Sequence, residues 1–99
     1  MITHVVLLQP KVSTSNEELT AFLQHVLTLQ QVIPGILSIS VGENRSDFQG
    51  GFTHGIIMRF VDEAHLQAHH THAAHVAVVK ELDRLCLQSI DFDLSETAL

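Results

Sequence analysis

Tryptophan and tyrosine are missing from this 99-residue chain, proline occurs twice and cysteine once. A lone Cys86 excludes an intrachain disulfide framework, so the fold must stand on its hydrophobic core. Basic side chains are scarce too: five Lys and Arg stand against eleven Asp and Glu, a formal charge of −6 with histidine neutral. A surface of that sign repels phosphate backbones and argues against nucleic acid as a partner. No uninterrupted apolar run approaches the roughly 20 residues of a membrane helix, so no membrane partner is expected. The opening Met1-Ile2-Thr3-His4 carries no basic segment ahead of an apolar stretch. With one cysteine, that predicts a reducing, cytoplasmic setting.

What the chain does have is apolar residues, 45% of the total, and eight histidines. The apolar share at this length suits one domain over residues 1–99 with one core, and is too high for disorder. An unperturbed imidazole has a pKa of about 6.5, and protonating all eight would take the formal charge past zero and reverse its sign.

Residues 2–9, ITHVVLLQ, alternate as a first strand stopped by Pro10. Both of its faces are largely apolar, which predicts that both are covered. Ser15 and Glu18 fit a capping box, and Leu19, Phe22, Leu23 and Val26 recur at helical spacing, giving a helix over about 16–32 that ends before Pro34-Gly35. Residues 36–42 and 52–61 alternate as strands, joined by the polar, Gly-containing stretch 43–51. Asp62 is placed to cap a short helix over 63–70, and a longer helix follows to about Leu87. Its inward stripe is His75, Val78, Val79, Leu82, Leu85 and Cys86, with Cys86 read as a small core side chain. Residues 89–94 close the domain as a fourth strand.

The order β-α-β-β-α-β predicts an α+β, ferredoxin-like antiparallel sheet with helices on one side. Apolar side chains on the other side make a homodimer, sheet against sheet, the simplest partner.

Five histidines fall between 65 and 75. As metal ligands, His65 with His69, or His69 with His72 and His75, have helical spacing, yet no H-E-x-x-H or C-x-x-C pattern accompanies them. The plainer reading makes His65, His69 and His70 solvated residues near a helix end, and no metal or cofactor is expected. His75 differs, because its stripe faces the sheet, and His4 and His54 lie on strand faces otherwise apolar. Three imidazoles in an interior with few polar partners suggest a polar-edged pocket. Phe52, Ile56 and Met58 on the strand, with Val78, Val79 and Leu82 on the helix, would supply its apolar wall. Arg45 in the long loop and Arg59 on the third strand could meet an anion, although surface pairing is the usual fate of a single arginine.

Several segments together resemble the stress-responsive dimeric α/β-barrel family, Dabb: His4-Val5-Val6-Leu7-Leu8, Ile33-Pro34-Gly35-Ile36, Gly42-x-Asn44, Gly51-Phe52-Thr53-His54, Phe60-x-Asp62, His72-Ala73-Ala74-His75-Val76 and Asp91-Phe92-Asp93. The resemblance covers nearly the whole chain, and implies a homodimer whose sheets close into a barrel. The family usually has His-Pro-x-His at the last helix start, where this chain has Ala73. One plant member that the chain is similar to is a cofactor-free polyketide cyclase of the olivetolic acid type, performing an aldol condensation. Its catalytic histidines fall on His4, His54 and His75, and its catalytic tyrosine falls on His69. The resemblance thus implies His75 as general base, His69 in the tyrosine's place, and His4 and His54 polarising a carbonyl.

Four functions stay open from sequence: a homodimer binding a small carbonyl or aromatic ligand, a cyclase or lyase using His75, a stress-associated structural oligomer, and a metal-binding module using the 65–75 segment.

Overall fold

The computed structural model describes residues 1–96. Strand β1 (Ile2–Pro10) buries Ile2, His4, Val6 and Leu8 and leaves Thr3, Val5 and Leu7 half-buried, so its alternation points one face at the core. Strand β2 (Ile36–Glu43) and strand β3 (His54–Phe60) follow, and β4 (Cys86–Ser95) returns last, in an antiparallel sheet ordered β2-β3-β1-β4. This is the expected ferredoxin-like α+β architecture.

Helix α1 (Asn16–Thr28) opens on the capping box: the Glu18 N–H donates to Ser15 Oγ (3.0 Å) and the Ser15 N–H to Glu18 Oε1 (3.1 Å). Its buried Leu19, Phe22, Leu23 and Val26 join Leu8, Ile56, Met58 and Phe60 in one core. A 3-10 turn over Leu29–Gln31 tightens the end of the expected helix before Pro34-Gly35. Gly35 sits at φ +86°, where a Cβ would lie 2.4 Å from the His65 side chain. Gly35→Ala should therefore cost about 2–3 kcal/mol from left-handed strain plus overlap, read as a lowered melting temperature; an unchanged melt would contradict this.

Helix α2 (Glu63–His69) is capped by Asp62, which accepts from the His65 N–H at 2.9 Å, and α3 (Ala73–Leu85) follows. Two boundaries differ from expectation. Helix α3 stops at Leu85 and β4 starts at Cys86, because β1 offers ladder partners from Pro10↔Cys86 to Ile2↔Ser95 and pairing outweighs helical periodicity there. The Leu85 carbonyl is closed off by the Lys11 N–H (2.9 Å) and Thr14 Oγ1 (2.6 Å). Strand β3 starts at His54, since Asn44 ties down the loop before it, donating to the Phe52 carbonyl at 2.9 Å. Cys86 is buried as expected, and burial pushes its thiol pKa up.

The described residues leave the second sheet face uncovered within one chain. Ile57, Ile90, Phe92 and Leu94 are exposed there beside half-buried Val5 and Leu7, Phe92 at 56%. Arg59 spends its charge on Glu96 (3.0 Å), and Arg45 lies exposed in the loop. Among the described residues, no helix is long and apolar enough to cross a membrane.

Candidate functional site: a histidine cluster under the last helix

Register decides which histidines meet. His4 on β1 lies opposite Met58 on β3 and Asp93 on β4, so His4 and Asp93 share the helix-side face. The His4 ring, 4% exposed, uses Nδ1 to bond Asp93 Oδ1. A carboxylate on Nδ1 fixes the ring orientation and leaves Nε2 facing away from it.

Chain geometry at the α2–α3 junction supplies the rest. Helix α2 ends at His69 and α3 begins at Ala73, which folds His69 and His70 back towards His75. His72 is the N-cap of α3, its Nδ1 accepting the Ala74 N–H at 3.1 Å. Ala73 follows as the first helical residue, so the helix starts on an imidazole cap with no proline behind it. His69 is 1% exposed, and its ring centroid lies 4.3 Å from that of His75, 4.4 Å from His70, 4.8 Å from Phe60 and 5.5 Å from His4.

Electrostatics follow from burial. Desolvation disfavours the charged imidazolium and pushes His69 down to about 4, against a bond to the Leu66 carbonyl that works the other way. Burial lowers His75 as well, opposed by the bond from its Nδ1 to the His70 carbonyl at 3.3 Å. Both rings are therefore neutral at pH 7. With Nδ1–H donated to a carbonyl in each, Nε2 carries the lone pair. Among the described residues, His69 Nε2 is buried with no hydrogen-bond partner.

A cavity of about 150 Å³ lies against this cluster, lined by His4, Val6, His70, His75, Val79 and Leu82, with Asp83, Ser89 and Asp91 at its polar side. A larger concavity of about 350 Å³ lies on the bare sheet face among Val5, Leu7, Val41, Asn44 and Ile57, and no histidine lines it.

The structure brings together His4, His69 and His75 of the sequence-derived set, with Val79 and Leu82 on the cavity wall. It does not bring His54. That residue pairs in register with Leu8 and Glu43, four residues or about 13 Å along β3 from the strand position facing His4, and its Nδ1 bonds Thr53 Oγ1 at 2.8 Å. Phe52 lies in the loop before β3, and Ile56, Met58 and Val78 are closed in the core. His69 is not the solvated helix-end residue expected, because the helix break turns it inward. His65 is held by Asp62 (2.7 Å) and His72 by its capping bond, so the metal spacings read along a continuous helix do not form. Sequence reasoning missed His70 and Asp93. The strict alternation Ser89, Asp91, Asp93 on β4 was the signal for the second.

No curated protein matches the chain by sequence. Among solved structures, a protein of Arabidopsis thaliana superposes with a TM-score of 0.92 at 20% identity, over 100% of this chain and 98% of its own. Hydroxynitrile lyase from Passiflora edulis gives 0.88 at 19%, over 99% and 96%. A dimeric ferredoxin-like protein of unknown function from a Jannaschia species gives 0.85 at 22%, over 96% and 98%. At such identities the likeness is one of fold. The family described as the stress responsive A/B barrel domain, Dabb, matches residues 2–96, and the chain belongs to that family.

Proposed function

We propose that this protein is a homodimer whose histidine cavity binds a small neutral carbonyl compound, or a hydroxyl adduct of one, and moves a proton on it in a lyase-type reaction. The observation that carries this is the His75 ring: its Nδ1–H is engaged by the His70 carbonyl, and the ring lines a cavity walled by Val6, Val79 and Leu82. A neutral imidazole so held has its Nε2 lone pair available as a general base. His4, oriented by Asp93, stands on the same cavity to meet the substrate oxygen, and His69 packs behind both.

For a cyanohydrin the step balances simply. The hydroxyl proton passes to His75 Nε2, the bond from carbon to nitrile breaks as the carbonyl forms, and the imidazolium returns the proton to the departing cyanide. The fold shared with a hydroxynitrile lyase supports choosing this test chemistry. A volume near 150 Å³ supports a one-ring compound, since cavities of that size hold about a benzene, and gives little room for a long-chain polyketone. Asp83 and Asp91 at the polar side favour neutral substrates over carboxylates. The test is cleavage of an aromatic cyanohydrin, followed by aldehyde absorbance, compared with an equal concentration of the His75→Ala variant; equal rates would overturn the reading.

The dimer rests on the bare face. Ile57, Ile90, Phe92 and Leu94 form an apolar surface of the kind that marks association, and a sheet-to-sheet pairing covers it symmetrically. Solution scattering should return twice the 11.0 kDa mass of one chain, and Phe92→Asp, which buries a carboxylate in that contact, should return the single mass. A wild-type monomer would contradict the proposal.

A further inference from the structure

We infer that His69, His70 and His75 form a binding site for a divalent transition-metal ion of the zinc and cobalt class. Each offers a ring nitrogen, and the three atoms lie within 4.8 Å of one another. Zinc–imidazole bonds of about 2.0–2.1 Å in a tetrahedron set the nitrogens roughly 3.4 Å apart, so closure needs movements of about 1 Å. His70 is exposed and free to turn by that amount.

A second, independent observation points the same way. His69 is 99% removed from solvent, yet among the described residues its Nε2 has no hydrogen-bond partner. A buried lone pair of this kind is costly unless it meets a donor or a cation. Its other nitrogen donates to the Leu66 carbonyl, and His75 Nδ1 to the His70 carbonyl at 3.3 Å. Carbonyls on the far nitrogens of ligating histidines orient the rings and present Nε2 to the ion.

The surroundings suit a cation. Asp83 and Asp91 line the adjoining cavity, and no lysine or arginine lines it among the described residues. Imidazole ligands select zinc, cobalt, nickel or copper over magnesium and calcium, which require oxygen. Three protein ligands leave a fourth position open to a small molecule in the cavity. The inference is independent of the acid–base proposal, because it needs the ligand atoms and no reaction. At His75 the ion and a transferred proton would use the same lone pair, so at that atom they are alternatives.

The experiment uses the full chain without a histidine tag, stripped with chelator and titrated with Co²⁺, followed by calorimetry and visible absorption. The expected result is one ion per chain, an absorption spectrum of low-symmetry nitrogen coordination and a raised melting temperature. His70→Ala, at an exposed position that should not disturb folding, weakens binding by about 100-fold or more, as does His75→Ala. His54→Ala and His25→Ala, the latter removing the partner of Glu81, leave it unchanged. Absence of saturable binding, or binding of equal strength in both the His70→Ala and His75→Ala variants, would overturn the inference. Cyanohydrin turnover by the stripped protein tests the acid–base proposal separately.

Discussion

His75→Ala is expected to fold as the parent does and to turn over an aromatic cyanohydrin about a hundred- to ten-thousand-fold more slowly, the range supplied by a positioned general base. The fold should survive because His75 is in the first turn of α3, only half-buried, and alanine is the best helix former. The loss should fall on kcat more than on KM, since the imidazole acts on a proton in flight while Val6, Val79 and Leu82 continue to hold the ring. His54→Ala is the matched control. It removes a histidine that the sequence places beside His75 in role but that the sheet register puts at the far end of β3. Equal losses in both variants would mean that the cavity under α3 is not the reaction site.

The second large effect is on stability. His69 has a folded-state pKa of about 4 against 6.5 for the free side chain, because the ring is buried. Between those values the unfolded chain binds a proton that the folded chain refuses, so stability rises with pH across this window. The contribution is complete above about pH 6.5 and is lost as the pH falls to about 4, amounting to about 3 kcal/mol. His75, lowered for the same reason, adds in the same direction. Urea denaturation in the presence of chelator should show this slope in the parent protein and a flatter one in His69→Gln, which cannot titrate. Parallel slopes would contradict a neutral, buried His69.

These two effects turn on residues that local pattern reads unequally. The strands were legible because their alternation is strict: Ile2, His4, Val6 and Leu8 are the buried face of β1, as period two requires. The capping box at Ser15 and the cap at Asp62 were legible for the same local reason. The site was legible in part. That His4 and His75 face inward follows from their own elements, whereas His54 also faces the helix side and still does not join them. Facing is a property of one strand, but distance along the sheet depends on register between strands, which no single segment encodes. His69 was misplaced because a position near a helix end reads as solvated, and only the packing of two separate helices turns its ring inward against His75, while His70 stays exposed as expected. Asp93 needed the β1–β4 pairing before its carboxylate could be set against His4.

The fold thus creates a small chemical space from an unusual allocation of polar groups. Phe60, Val6, Val79 and Leu82 surround the rings, so each imidazole finds its partner in a backbone carbonyl, a β4 carboxylate or another ring. The larger concavity on the bare sheet face has the volume for a ligand but lacks histidine, and a second copy of the chain is the occupant its apolar walls suit.

The central proposal is that His4, His70 and His75, which line one cavity with His69 packed behind them, bind a ligand there. Its most direct test is nitrogen-detected NMR of the histidine side chains in the stripped protein at pH 7, during titration with benzaldehyde. Saturable shifts of the His4, His70 and His75 ring nitrogens, with His25 and His54 unmoved, are the predicted result. Shifts at His54 without them, or no saturable shift in any ring, would contradict the claim.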